Sequence, residues 1–223
     1  MTHQVADPHS FPGNSFTDER RQMVENHLRR RGIDDARVLW AMGEVPRELF
    51  VPDVQRDEAY CDGALPIGYG QTISQPYTVA YMCQAAQLHG EERVLEVGTG
   101  SGYGAAVLGM LAREVHTVER IARLAQRAEQ TLQSLGLDHV VVHLGDGSEG
   151  WSAAAPYDAI IVTAAAERLP FAYQEQLADG GRLIIPIGPH GQTQRLCRFT
   201  REGNALTKED LGAFVFVPLV SPT

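Results

Sequence analysis

Two periods of apolar residues alternate along the chain. From Arg93 onward, short apolar runs of the kind buried on both faces of a sheet take turns with stretches whose apolar side chains recur every three or four positions, as on one side of a helix. Strands are expected over residues 93–97, 114–119, 139–144 and 157–162. Helices are expected between them over about 102–112 and 121–136, then from Pro170 to a stop at Gly180 and Gly181. A fifth strand is expected over 182–187, turned by Gly188-Pro-His-Gly191 into a partner over 194–201, and a last strand over 213–220. The alternation predicts an α/β fold with a doubly wound, mostly parallel sheet, and the tight turn near the end predicts an antiparallel finish.

Upstream of Arg93 the pattern is helical and then irregular. Residues 1–16 hold two prolines and a glycine without apolar periodicity and are expected to form a flexible tail ahead of a single domain over 17–223. Within that domain, 17–92 reads as an N-terminal helical cover with a substrate loop, and 93–223 as the cofactor-binding sheet. Thr17 is expected to cap a helix whose face carries Met23, Val24, His27 and Leu28 and which closes at Arg29-Arg-Arg31 and Gly32. Asp34 or Asp35 is expected to cap a second helix through Val38, Leu39 and Met42, stopped by Pro46. Residues 59–76 carry too many glycines and prolines for regular structure yet too many buried-type side chains for a linker, so an ordered functional loop is expected. Pro76 suits the first turn of a following helix with Val79, Ala80, Met82, Cys83 and Ala86 on its apolar face.

Composition narrows the function classes. At 43% hydrophobic and 21% charged residues over 223 positions, the chain has ordinary globular values. It has no apolar run near the ~20 residues of a membrane span and no basic-then-apolar leader pattern, so a cytoplasmic protein without a membrane partner is expected. A net charge of -9 works against a long phosphate-tracking surface and hence against nucleic acid. Cys61, Cys83 and Cys197 are dispersed, without any C-x-x-C, which predicts reduced thiols and no metal site; His139 and His143 read as structural histidines in a strand. No exposed apolar repeat invites pairing, so a monomer is expected.

The chemistry-bearing stretch is Arg93-Val-Leu-Glu-Val-Gly-Thr-Gly-Ser-Gly102, a strand entering a glycine turn that opens a helix. A dinucleotide fingerprint would need glycine at 103, where the chain has Tyr103; its glycines fall at 98, 100, 102 and 104. The form E-x-G-x-G-x-G looks like the motif of class I S-adenosylmethionine (SAM) methyltransferases, whose sheet is Rossmann-like. In open α/β sheets ligands bind beyond the carboxyl ends of the strands. Glu119 there suits two ribose hydroxyls, Asp146 with Gly147 the adenine, and Thr163 ends the next strand. Each has a plainer reading: Glu119 as a helix N-terminal acid, Asp146 as a turn residue.

Three blocks carry a closer likeness: Val45-Pro-Arg-Glu-Leu-Phe-Val-Pro52, the segment from Ala64 through Gly70-Gln-Thr-Ile-Ser-Gln-Pro-Tyr77, and Val94-Leu-Glu-Val-Gly-Thr-Gly-Ser-Gly-Tyr103. With Thr117-Val-Glu-Arg120, Gly145-Asp-Gly147, Val162-Thr-Ala-Ala165 and Phe216-Val-Pro-Leu219 they make the chain resemble the protein-L-isoaspartate O-methyltransferases of bacteria over roughly residues 20–220. The resemblance implies methyl transfer from SAM to the free α-carboxylate of L-isoaspartyl residues in damaged proteins and peptides, with S-adenosyl-L-homocysteine as product. Ester closure to a succinimide and hydrolysis then return some normal aspartate.

The resemblance also implies site residues. Ser74 takes the catalytic position. Thr72, Ile73, Glu96, Gly98, Thr99, Gly100, Ser101, Gly102, Glu119, Arg120, Asp146, Gly147 and Thr163 fall on cofactor positions, and Gln71, Thr72, Ser74, Pro76, Ala164, Ala165, Val217, Pro218 and Leu219 on substrate positions. By position alone Ser74 reads better as a cap two residues before Pro76 than as a substrate contact. Where the family commonly has Gln after the tyrosine of the glycine motif, this chain has Gly104, which weakens the next helical turn. The alternatives are a relative that methylates ordinary aspartate while a ribosomally made peptide matures, a small-molecule or RNA methyltransferase, and a SAM-binding module without catalysis.

Overall fold

A computed structural model describes residues 16–220. A seven-stranded sheet in the order β5-β4-β3-β6-β7-β8-β9 is its spine. Its strands are β3 (Arg93–Val97), β4 (Glu114–Glu119), β5 (Val140–Leu144), β6 (Tyr157–Val162), β7 (Leu177–Ile187), β8 (Gln194–Glu202) and β9 (Ala205–Phe214). The pairings from β5 across to β7 are parallel, and β7–β8 and β8–β9 are antiparallel. From β3 the chain winds outward through β4 to β5 and then returns to β6 on the other side. That reversal makes the C-terminal ends of β3 and β6 the switch point where such sheets bind ligands. The fold is that of the class I methyltransferases expected above.

Helices α3 (Pro76–Ala86), α4 (Tyr103–Gly109) and α5 (Ala122–Ser134) cover one face, and α6 (Phe171–Gln176) packs on the other beside β7. The buried faces of the helices are the ones their spacing predicts, as in Leu124, Ala128 and Leu132 of α5. The N-terminal cover is built on α1 (Thr17–Met23) and α2 (Ala36–Glu44). Asp35 caps α2 by accepting from the Arg37 and Val38 amides at 2.9 and 3.2 Å. The cap of α1 is Phe16 rather than Thr17, and the helical run continues as a π-turn over Val24–Leu28 and a 3₁₀ turn before Gly32 ends it at φ +92°. The tail expected over 1–16 lies outside the described residues except for Phe16, whose ring sits 6.1 Å from that of Tyr60.

Three expectations need correction. The segment read as irregular contains a small antiparallel pair, β1 (Leu65–Gly68) and β2 (Gln71–Ile73). Leu65, Ile67 and Ile73 are buried, and Gly68, Tyr69 and Gly70, all at positive φ, make the reversal between the strands. Secondly, the helix after Pro170 ends at Gln176 and β7 starts at Leu177, so Gly180 and Gly181 lie inside a strand. Gly180 at φ +75° sits where the register with β6 slips, a bulge that glycine admits. Thirdly, the last strand is β9 and not 213–220. Thr207, Lys208, Glu209 and Asp210 are exposed because β9 is an edge strand, so no apolar alternation marks it. Its register is supported by charges across the pair, Arg195 with Asp210 at 2.7 Å and Arg198 with Glu209.

Candidate active site

The glycine turn after β3 is shaped by backbone geometry that only glycine accepts cheaply. Gly98, Gly100 and Gly102 have φ of +96°, +54° and +91°. A Cβ on Gly98 would collide with Thr163 Oγ1, and the Thr163 hydroxyl lies 2.8 Å from the Gly98 carbonyl oxygen. Thr163, at the end of β6, therefore braces the turn that β3 opens. Gly147 is glycine for a similar reason: its Cβ would stand 2.5 Å from Val97 Cγ1.

Two acids line this cradle. Glu119, at the end of β4, accepts from the Gly100 amide on one carboxylate oxygen and from the Ile121 amide on the other, each at 2.9 Å. One lone pair per oxygen remains, enough to accept two vicinal hydroxyls. Glu96 is 2% exposed, and Thr117 Oγ1 donates to it at 2.6 Å while standing 2.7 Å from Thr99 Oγ1. Burial, with Glu119 near, pushes the Glu96 carboxyl up to about 8 against the pull of the Thr117 hydrogen bond. Its second oxygen stands where a Cβ at position 104 would be, so Gly104 is the space that this carboxyl occupies. Composition and spacing gave no signal for that pairing; only the packing of α4 on β3 shows it.

Ser74 follows β2. The cap residue of α3 is Gln75, without a side-chain cap bond, so the hydroxyl of Ser74 is not used in capping the helix. Its backbone is fixed instead: fully buried Arg47 donates to the Ser74 carbonyl at 2.8 Å and to the Ala59 carbonyl at 2.7 Å, with its guanidinium 4.8 Å from the Tyr103 ring centre. Arg47 stands in the Val45–Pro52 block, and its contacts tie the cover, the segment ahead of α3 and the cradle together. Val217 and Leu219 run beside Ala165, with Ala165 N donating to Val217 O at 2.7 Å and Leu219 N to Ala165 O at 2.8 Å.

A cavity of about 1110 Å³ joins these parts. Among the positions expected to serve a site, Gln71, Thr72, Ile73, Ser74, Glu96, Gly98, Thr99, Gly100, Ser101, Glu119, Arg120, Gly147, Thr163, Ala164, Val217, Pro218 and Leu219 line it. Pro76, Gly102, Asp146 and Ala165 stand behind the wall. Asp146 is engaged as a turn residue, accepting from the Ser148 amide at 3.0 Å and the Ser148 hydroxyl at 2.9 Å. Among the described residues, no histidine, cysteine or lysine lines it.

Comparison with known proteins agrees with this geometry. The family model described as protein-L-isoaspartate(D-aspartate) O-methyltransferase matches residues 18–223. The chain is 51% identical over 214 residues, 96% of its length and 87% of the relative's, to protein-L-isoaspartate O-methyltransferase 1 of Rhodopseudomonas palustris (strain HaA2). It is 58% identical over 173 residues, 78% of its length and 71% of the relative's, to the enzyme of that name from a Synechococcus strain. A solved protein-L-isoaspartate O-methyltransferase superposes with a TM-score of 0.82 at 29% identity, covering 91% of this chain and 66% of that one. A protein from Plasmodium falciparum titled as a putative enzyme of this kind, in complex with S-adenosyl-L-homocysteine, superposes with a TM-score of 0.78 at 27% identity, covering 90% and 98%.

Proposed function

The chain belongs to the protein-L-isoaspartate(D-aspartate) O-methyltransferase family, and from that premise we propose that it repairs damaged proteins and peptides by methylating the free α-carboxylate of L-isoaspartyl residues. The observation that carries this reading is the single cavity in which the Gly98–Gly102 cradle and Ser74 share a wall. The cradle fits SAM: bare glycine backbone for close approach, Glu119 with two acceptor sites for the ribose, and a buried carboxyl on Glu96 that pairs with no cation among the described residues, suited to an amino group. Gly147 bounds the adenine end, with Asp146 holding the turn behind it. When bound, SAM supplies an electrophilic methyl group on a sulfonium.

The chain's own task is then positioning. A carboxylate with a reference pKa of about 3.5 is ionised at neutral pH and needs no general base, in keeping with a lining free of histidine, cysteine and lysine. Ser74 Oγ donates to the acceptor carboxylate and sets its line of approach, with Thr72 and Gln71 beside it and the stretch from Val217 to Leu219 opposite. Alignment and exclusion of water are worth on the order of 7 kcal/mol in such transfers. The three free thiols Cys61, Cys83 and Cys197 fit a reducing, cytoplasmic setting.

The test is methyl transfer from labelled SAM to two peptides differing only in an L-isoaspartyl or L-aspartyl linkage, with Ser74→Ala alongside. Labelling of the isoaspartyl peptide alone, with kcat reduced at least tenfold in the variant, is expected. Labelling of neither peptide, or of both equally, overturns the repair reading.

A further inference from the structure

The cavity, at about 1110 Å³, exceeds the roughly 300–1,000 Å³ of a single small-molecule site, and besides the cradle and Ser74 it is lined by residues of α3 and β9. There the walls are aromatic. Tyr77 and Tyr81, four residues apart on α3, stack with ring centres 5.6 Å apart and planes 20° from parallel. Phe214 at the end of β9 continues the stack at 5.7 Å and 26°, and Phe216 follows at 6.2 Å and 43°. All four rings are half-buried and line the cavity. The Tyr81 hydroxyl donates to the Leu211 carbonyl at 3.0 Å, which fixes the distance between helix and edge strand.

The mouth of this half satisfies its own polarity. The Arg31 guanidinium lies 3.9 Å over the Tyr77 ring and pairs with Asp62 at 3.0 Å, while Gln75 Nε2 donates to Asp62 at 2.8 Å. The faces of these rings are largely taken by Arg31 and by one another, so what the walls offer a visitor is apolar ring edge rather than unpaired charge. Tyr77 is three residues past Ser74, and one extended peptide step is about 3.5 Å. The Cα atoms of Ser74 and Tyr77 are thus at most about 11 Å apart, and both residues line the cavity, so a side chain of a peptide held at Ser74 can reach the stack.

Resting on the repair reading above, we propose that the Tyr77–Tyr81–Phe214 stack is a side-chain subsite that selects peptides with an aromatic or large apolar residue beside the isoaspartyl residue. Because the side chain is held alike before and during transfer, the selection falls on KM and leaves kcat nearly unchanged.

The experiment uses isoaspartyl peptides with Gly, Leu or Phe on either side of the damaged residue, assayed with the full chain and with Tyr81→Ala and Tyr81→Phe, melting temperatures serving as a check on folding. On the unaltered protein, a KM about tenfold lower for Phe than for Gly is expected at one of the two positions. The ratio falls towards one in Tyr81→Ala and persists in Tyr81→Phe, which keeps the ring and loses only the bond to Leu211. Equal KM values for all three residues, with discrimination against the aspartyl peptide intact, overturn the subsite and leave the repair reading standing. A ratio unchanged in Tyr81→Ala, including one in which all peptides slow together, overturns it as well. If no isoaspartyl peptide is methylated, the repair reading fails and the subsite falls with it.

Discussion

Replacing Glu96 by Gln probes the cradle through stability, before any activity is measured. The carboxyl is ordinarily half-titrated at 4.5 and is held up to about 8 in the fold, so between those values the native state keeps a proton that the unfolded chain gives up. The sign follows: this contribution is fully present below pH 4.5 and is lost as pH rises through 8. A separation of 3.5 units, at about 1.36 kcal/mol each, makes about 5 kcal/mol, an upper figure because one side of the carboxyl borders the water of the cavity. Gln is close to isosteric, keeps an acceptor for Thr117 Oγ1 and cannot ionise. Urea unfolding at pH 5, 6.5 and 8 should show the wild type losing several kcal/mol relative to Glu96→Gln across that range. S-adenosyl-L-homocysteine, whose amino group is the proposed partner of Glu96, should bind the wild type more tightly as pH rises from 6 to 8 and the variant nearly independently of pH. Parallel stability curves for the two proteins would refute the argument that Glu96 is kept protonated by burial.

Other consequences are open to direct measurement. Gly98→Ala places a Cβ against Thr163 at a backbone φ of +96° and should weaken S-adenosyl-L-homocysteine binding more than tenfold by calorimetry, with a lowered melting temperature. Arg47→Met leaves the carbonyls of Ala59 and Ser74 without their donor, at about 1–3 kcal/mol each, so denaturant titration should show a large loss and kcat should fall as the Ser74 loop loosens. The His143 imidazole, lowered by burial and by neighbouring His116, stacks on Trp151, and His116 in turn meets Glu114 at 3.0 Å. Stability should therefore decline as pH falls below about 6.5, the free imidazole value, and His143→Phe should flatten that part of the curve.

How much of this was legible from residue order depended on where each element sits. The parallel centre was readable because β3 and β6 are buried on both faces and their apolar residues stop where the strands stop, while β4, as buried, holds Val115 and Val118 between polar residues. The cradle was readable because its glycines mark left-handed backbone. The antiparallel finish was readable from its tight turn, but the bounds of the last strand were not: β9 pairs on one side only, tolerates Thr207-Lys-Glu-Asp210, and hides its periodicity, while the stretch over 215–220 is held at Ala165 rather than in the sheet. Gly180 and Gly181 misled for a related reason, since a glycine pair that ends a helix and one that bends a strand are the same two letters.

The exchange at position 104 marks the same boundary from the side of the site. Read along the chain, glycine in the first turn of α4 is only a propensity cost of about 1 kcal/mol. Across the fold it is the neighbour of Glu96, where any Cβ would collide with the carboxyl. A larger residue at 104 must turn that acid elsewhere, and the adjacent opening is the cavity that Glu96 already lines. Chains with a long side chain at this position and this chain with glycine therefore differ in how far the acid rests back from the ligand space. They need not differ in which residues contact the ligand. The glycine motif points to the ligand class, and the residue after Tyr103 sets the resting place of the Glu96 carboxyl.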